Sequence, residues 1–187
     1  MADGKYARRN DEGEHRIKDD DPRGIALLKD EHHLFRILFD KAEAAEGEAL
    51  IEAARELCLR LTVHMTIEEE ILYPAGKQVG EAKEVDEGIV EHGAGKVLIE
   101  ELDAMDGSEE LFKSKVHVLG EQTMHHIDEE DEELFEEMKA AHAAGKLDLD
   151  AIGDQLRARQ AELYDRAAAG EPPEPLTEEE ALAEAGD

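Results

Sequence analysis

"HMTIEEEILYP", residues 64–74, makes two demands that conflict. Followed upstream at steps of three and four, its inner stripe reads Leu57, Leu61, His64, Glu68 and Ile71, which is the spacing of one helix face. The core side of this helix therefore carries an imidazole and, one turn later, a carboxylate. An isolated buried carboxylate costs on the order of several kcal/mol unless it is paired or neutralised. The stretch asks what supplies the partner.

Working outward, the same arrangement returns in "HHIDEEDEELF", residues 125–135. Phe112, Val116, Leu119, Thr123, Ile127, Leu134 and Met138 mark the buried face there, and steps of three and four place His126 and Glu130 among them. Spacing alone selects nothing in a chain with 50 acidic residues among 187, since His117/Glu121 and His125/Glu129 fit His-x-x-x-Glu equally well. Facing does select: His125 and Glu129 share a side with Gln122, Glu132, Glu133 and Glu136, a solvated acidic face.

Two further helices precede these. Asp21 as N-cap and Pro22 at the first helical position open one that carries Leu28, His32, Phe35 and Phe39 inward up to Gly47, with His33 turned a hundred degrees away. The next runs from Glu48 to Tyr73, where Pro74 and Gly76 are expected to stop it. A third spans Ala82–Met105 on Val85, Ile89, Ile99 and Leu102, with His92 inside and with Gly88, Gly93 and Gly95 marking a close neighbour or room left for something. The fourth starts after Ser108, read as its N-cap, and reaches Gly145.

With no credible strand, short connections and four long helices, the expected fold is all-α: an antiparallel up-down-up-down four-helix bundle over residues 21–145. Residues 1–20, which include His15, read as a solvated arm, residues 146–168 as an additional packing helix, and residues 169–187 as an acidic tail with a final turn capped at Thr177. The second helical pair reads as a diverged copy of the first.

His32, His64, Glu68, His92, His126 and Glu130 are thus expected to meet in one layer. A purely structural account needs an internal salt-bridge network, and no inward arginine is evident; Lys96 is the cation expected nearby. A metal centre supplies the missing positive charge directly. Neutral imidazoles with carboxylates and no thiolate suit iron, manganese or zinc. Two carboxylates that each bridge two ions, with four terminal imidazoles, leave about two of roughly twelve coordination positions for a small ligand.

The formal charge of −29 would repel phosphate backbones and anionic membrane surfaces, so nucleic acid and membrane are not expected partners. Cys58, the single cysteine, lies between Leu57 and Leu59 and reads as core filler. No apolar run resembles a signal peptide or membrane span, which makes the cytoplasm the expected compartment.

The order His32, "HMTIE" (64–68), His92 and "HIDEE" (126–130) on four helices resembles the hemerythrin-like HHE cation-binding domains. "LLKDEHHLFRILF", "HMTIEEEILYP", "EHGAGKVLIEEL" and "HHIDEEDEELF" also look like that family's segments, and the similarity spans about residues 22–145. The resemblance implies a non-haem site of two iron ions, oxo- or hydroxo-bridged, that binds or reacts with dioxygen, peroxide or nitric oxide. Oxygen-carrying members have a second histidine where this chain has Lys96, and usually an aspartate where it has Glu130. Those departures weigh against reversible oxygen carriage and make Tyr73 and Glu69 candidates for an extra donor. The expected function is oxygen or peroxide handling at the diiron site, with peroxidase, catalase-like or oxidase turnover open. The alternative is an iron-responsive or iron-storage module without turnover.

Overall fold

Spacing that alternates three and four, and few β-branched residues, commit the chain to helices that need one another to bury their apolar stripes. In the computed structural model, which describes Lys18 and residues 21–186, all regular structure is helical. Of the expected arm over residues 1–20 only Lys18 falls among the described residues, and His15 lies outside them.

Four rods make the bundle. The first is α1 (Arg23–Ala44). The second joins α2 (Glu48–Ile67) to α3 (Tyr73–Val79) through a widened, π-helical turn at Glu68–Leu72. The third is α4 (Ala82–Ala104), and the fourth joins α5 (Phe112–Glu129) to α6 (Phe135–Ala143) through a second π-helical turn at Glu130–Leu134. Each rod touches two neighbours, α1 and α4 both lying against α2 and α5, so the rods close a ring. The chain is an antiparallel four-helix bundle with added helices, as its pattern predicts.

Outside the ring, α7 (Leu149–Ala168) packs on α1, and α8 (Glu178–Ala185) packs on α3, α4 and the first π-helical turn. The crossing of α1 and α7 is close because both helices present glycine: a Cβ on Gly153 would lie 2.5 Å from the Gly24 nitrogen. Thr177 and Glu180 form a capping box at the start of α8.

Three local expectations need correction. Asp21 is not a cap: Pro22 takes that position, while the Asp21 carboxylate serves two ammonium groups, Lys29 at 3.7 Å and Lys139 at 3.3 Å. The Lys29 side chain is buried, so it takes the counter-ion that a helix end would otherwise use. Pro74 does not stop the second rod, which continues to Val79. The wide turn ends where Tyr73 N–H reaches back to the Glu68 carbonyl, and Pro74 then sits in a first turn where no N–H is required. Ser108 does not cap the fourth rod. Its amide bonds to Asp106 Oδ1 and the Glu109 carboxylate accepts from Asp106 and Gly107, so a separate turn precedes the helix start at Phe112.

The core is two apolar clusters with a polar layer between them. One gathers Phe35, Phe39, Leu57, Leu61, Ile99, Phe112 and Leu119 toward the end with the 45–47 and 105–111 connections. The other gathers Ile25, Leu28, Ile67, Val85, Ile89, Leu134 and Phe135 toward the opposite end, under α7 and α8. Cys58 is buried in the first cluster, where burial pushes its thiol up to about 12, in keeping with core filling.

Candidate metal centre

The two clusters enclose all six residues singled out by facing. His32 comes from α1, His64 from the last turn of α2, His92 from the middle of α4 and His126 from the last turn of α5. Glu68 and Glu130 each open a π-helical turn. None of the six is more than 7% exposed. Donor atoms of His32, His64, Glu68 and Glu130 lie within 4.8 Å of one another, and those of Glu68, His92 and His126 form a second such group. Glu68 belongs to both.

Each carboxylate reaches two imidazoles on different rods. Glu68 lies 3.2 Å from His64 Nε2 and 3.5 Å from His92 Nε2, while Glu130 Oε2 lies 3.4 Å from His32 Nε2 and 3.5 Å from His126 Nε2. The arrangement is two overlapping sets of nitrogen and oxygen donors joined by carboxylates.

Four outer carboxylates fix the rings. His32 Nδ1 meets Asp131 at 3.0 Å, His64 Nδ1 meets Glu31 at 3.1 Å, His92 Nδ1 meets Glu69 at 2.9 Å and His126 Nδ1 meets Glu91 at 2.8 Å. A carboxylate only accepts, so in each neutral ring Nδ1 carries the proton and Nε2 turns its lone pair inward. Sequence reasoning missed Glu31, Glu91 and Asp131 and read Glu69 only as a possible extra donor. A signal existed: each acid adjoins an inner residue, before His32 and His92 and after Glu68 and Glu130, in both halves of the chain. A step of one residue turns a side chain by about 100°, toward the imidazole of the neighbouring rod.

Positive charge is present, but on the outer ring. Arg36, fully buried and not anticipated as an inward arginine, pairs with Asp128 at 2.9 Å and Asp131 at 3.4 Å. Lys96 holds both oxygens of Glu69, at 2.6 and 2.8 Å, and the Leu176 carbonyl. Neither is paired with the inner carboxylates. Both Glu68 oxygens, Glu130 Oε2 and the Nε2 atoms of His32 and His64 are buried without a hydrogen-bond partner. Such atoms are expected where a cation belongs.

Titration follows from the same crowding. Burial, aided by the Glu130 charge, raises the Glu68 carboxyl well above its usual range. Burial opposes ionisation of Glu130 too, but His126 and His32 beside it hold that carboxyl low. Burial disfavours the His32 cation as well, yet Asp131 and Glu130 together bring its imidazole up to about 9. Burial dominates at His92 and takes it down to about 4, despite the bond to Glu69.

Of the two candidate extra donors, Tyr73 enters the centre and Glu69 does not. Tyr73 Oη lies 3.2 Å from His92 Nε2 and donates to Glu130 Oε1 at 3.1 Å. Glu69 is committed to His92 Nδ1 and Lys96. Gly88 leaves the space that the phenol fills, for a Cβ there would stand 2.7 Å from Tyr73 Oη. In the other half Phe135, likewise the residue after a π-helical turn, stacks on His32 at 5.5 Å as Tyr73 stacks on His92 at 5.4 Å.

Two hollows adjoin the centre. An apolar one of about 30 Å³ is walled by Leu61, Met65, Ile99 and Leu119 and reaches His64, His92 and His126. The other, about 280 Å³, is acidic and reaches Glu130 and His126 from the surface.

The hemerythrin HHE cation binding domain description matches residues 23–138, more than half of the chain and all six inner residues. The chain belongs to the hemerythrin HHE family. As a member of that family it is a cation-binding domain, and its buried His/Glu cluster is suited to hold metal. A curated relative, a protein named DNA nickase from Nostoc sp. (strain PCC 7120 / SAG 25.82 / UTEX 2576), is 27% identical over 110 residues. That match takes in 58% of this chain and only 31% of the relative. No solved structure matches significantly.

Proposed function

We propose that this hemerythrin HHE domain is a non-haem diiron protein that binds and reacts with dioxygen or peroxide. The observation that carries the reading is the pair of overlapping donor sets, in which both Glu68 oxygens, Glu130 Oε2 and the Nε2 atoms of His32 and His64 are buried without a hydrogen-bond partner while every Nδ1 is occupied. His32 and His64 would hold one ion and His92 and His126 the other, with Glu68 and Glu130 between them. Bound there, ferrous ions supply Lewis acidity and electrons for reducing an oxygen species.

The chain's own groups support that chemistry. The apolar clusters close the layer on either side, so that water reaches it from the acidic cavity and not through the core. The 30 Å³ hollow beside three of the imidazoles suits a guest of one or two heavy atoms. Tyr73 holds a proton 3.1 Å from Glu130 Oε1, within reach of whatever occupies the space between them. With Lys96 tied to Glu69, the place of a further histidine is given to an ion pair, and a phenol is the extra polar group in the centre. These features favour turnover over reversible carriage.

The nickase name of the Nostoc relative is not carried across. This chain covers 31% of that protein, and a charge of −29 opposes DNA. Nor is a membrane expected, since among the described residues no helix is long and apolar enough to cross one.

Metal analysis of chain purified without oxygen tests the proposal. Two iron ions per chain, and repeated consumption of hydrogen peroxide without loss of the ligand-to-metal absorption band, are expected. No tightly held metal overturns it. Bleaching that reverses between nitrogen and air would replace turnover with carriage, and uptake far above two ions would replace it with storage.

A further inference from the structure

The acidic cavity leads to a group of side chains that the buried centre does not use. His125 Nε2 lies 3.4 Å from Glu129 Oε1 and 3.7 Å from Glu91 Oε1, and donor atoms of these three residues fall within 4.8 Å of one another. The sequence pattern assigns His125 and Glu129 to a solvated face, and they are exposed, at 66% and 48% of their side-chain surface. What a solvated face does not explain is Glu91. Its Oε1 turns toward His125 outside, while its Oε2 accepts from Nδ1 of the inner His126 at 2.8 Å. One carboxylate spans the outer group and the centre.

The cavity supplies the second observation. Glu91 and Glu129 line it together with Glu84, Glu87 and Glu133, and at its floor stands Glu130, 95% buried, whose Oε2 has no hydrogen-bond partner. The one cationic side chain in the lining, Lys83, is held at the rim by Glu87 at 2.9 Å. A concavity of one charge with protein walls concentrates ions of the opposite charge. The other ways in are less suitable: the apolar hollow would strip a cation of water without replacing it, and the 490 Å³ cavity under residues 173–178 is lined by none of the six inner residues.

We propose that Glu91, His125 and Glu129 form a third, weak divalent-cation site at the mouth of the acidic cavity, where metal is partly dehydrated before it passes along Glu91 to Glu130 and the buried centre. The inference rests on the reading that the buried centre takes metal, and adds where the metal comes from. Two carboxylates and an imidazole replace some of the water around a ferrous ion without closing its coordination sphere. The ion is thereby held loosely enough to leave inward.

The test uses full-length chain stripped of metal and given Fe²⁺ without oxygen, with uptake followed in competition with a chromogenic chelator. The variant is His125→Ala/Glu129→Gln, both positions exposed; Glu110→Gln, exposed before the start of α5, is the charge control. The final metal content should equal wild type, while the loading rate falls about tenfold; the control should load at the wild-type rate. In a separate titration, Mn²⁺ added to chain with a filled centre should broaden the His125 imidazole resonances before those of the exposed His117, and not those of His117 first. Equal loading rates for wild type and the double variant overturn the proposal while leaving the diiron reading intact. If wild type takes no metal into the centre, that reading fails instead, and Mn²⁺ broadening at His125 still decides the outer site: its presence supports the site and its absence overturns it.

Discussion

Tyr73 and Gly88 allow the geometry of the centre to be tested without any metal. Tyr73→Phe removes a hydroxyl that donates to Glu130 at 3.1 Å inside a fully buried layer. A hydrogen bond to a charged partner contributes about 1.5–3 kcal/mol, so a loss of that order is expected. Gly88→Ala sets a methyl group 2.7 Å from Tyr73 Oη and 3.1 Å from Cζ. Overpacking costs about 1–3 kcal/mol, and about 1 kcal/mol returns as helix propensity, leaving a net loss of about 0–2 kcal/mol. With the hydroxyl gone, only the milder approach to the ring carbon remains. Gly88→Ala made together with Tyr73→Phe should then be stabilising by about 1 kcal/mol relative to Tyr73→Phe alone. The two substitutions should therefore couple by about 1–3 kcal/mol in a double-mutant cycle, with the pair less damaging than the sum of its parts. Urea midpoints of the four metal-free proteins at unchanged m-value supply the cycle. Additivity to within about 0.5 kcal/mol would mean that the phenol does not occupy the notch at residue 88, and the placement of its proton beside Glu130 would fall with it.

Glu68→Gln should raise the unfolding free energy of the metal-free chain, measured in urea, by at least about 1 kcal/mol, because both carboxylate oxygens are buried and unpartnered, while lowering metal retention; loss of stability in the metal-free state would contradict this. Metal-free chain should be most stable near pH 6.5 and weaken on both sides. Its folded His32 titrates at about 9, so that contribution is complete below 6.5 and disappears as pH rises through 9; His92 titrates at about 4, so the unfolded chain binds the extra proton between 6.5 and 4 and stability falls as pH drops. Each limb is about 3 kcal/mol at most, and an alkaline limb that survives His32→Gln in urea titrations would assign it to another group. Gly153→Ala should lower the melting temperature by forcing apart α1 and α7, where the new Cβ would meet Gly24 backbone at 2.5 Å; a cost below about 1 kcal/mol by thermal unfolding would refute that contact.

The inner residues were legible because each lies on a stripe of unbroken 3.6-residue period. His32 follows Leu28, His92 follows Ile89, and the His64–Glu68 and His126–Glu130 pairs extend series of apolar residues. The period fails at the π-helical turns. Five residues at about 100° each would carry Tyr73 some 140° away from Glu68 in a regular helix. The bond from Tyr73 N–H to the Glu68 carbonyl instead stacks one above the other, which no count of threes and fours anticipates. Lys29 and Arg36 were missed for a different reason. Both sit on the stripe of α1, three before and four after His32, but a long cation at such a position ordinarily reaches solvent; here Asp21, just before α1, pairs with Lys29, and Asp128 and Asp131 on the fourth rod pair with Arg36. The docking of α8 depends on Ala181 and Ala185, side chains too small to give a periodic signal among so many glutamates.

The two halves of the bundle repeat one another down to the aromatic ring that follows each widened turn, except that Tyr73 has an oxygen where Phe135 has none. That atom breaks the twofold likeness of the interior. A diatomic guest lying across the middle would find an O–H on the side of His92 and bare carbon on the side of His32, so its two ends are told apart before any bond changes. Two like halves are thus made polar, in the directional sense, where this hydroxyl meets the centre.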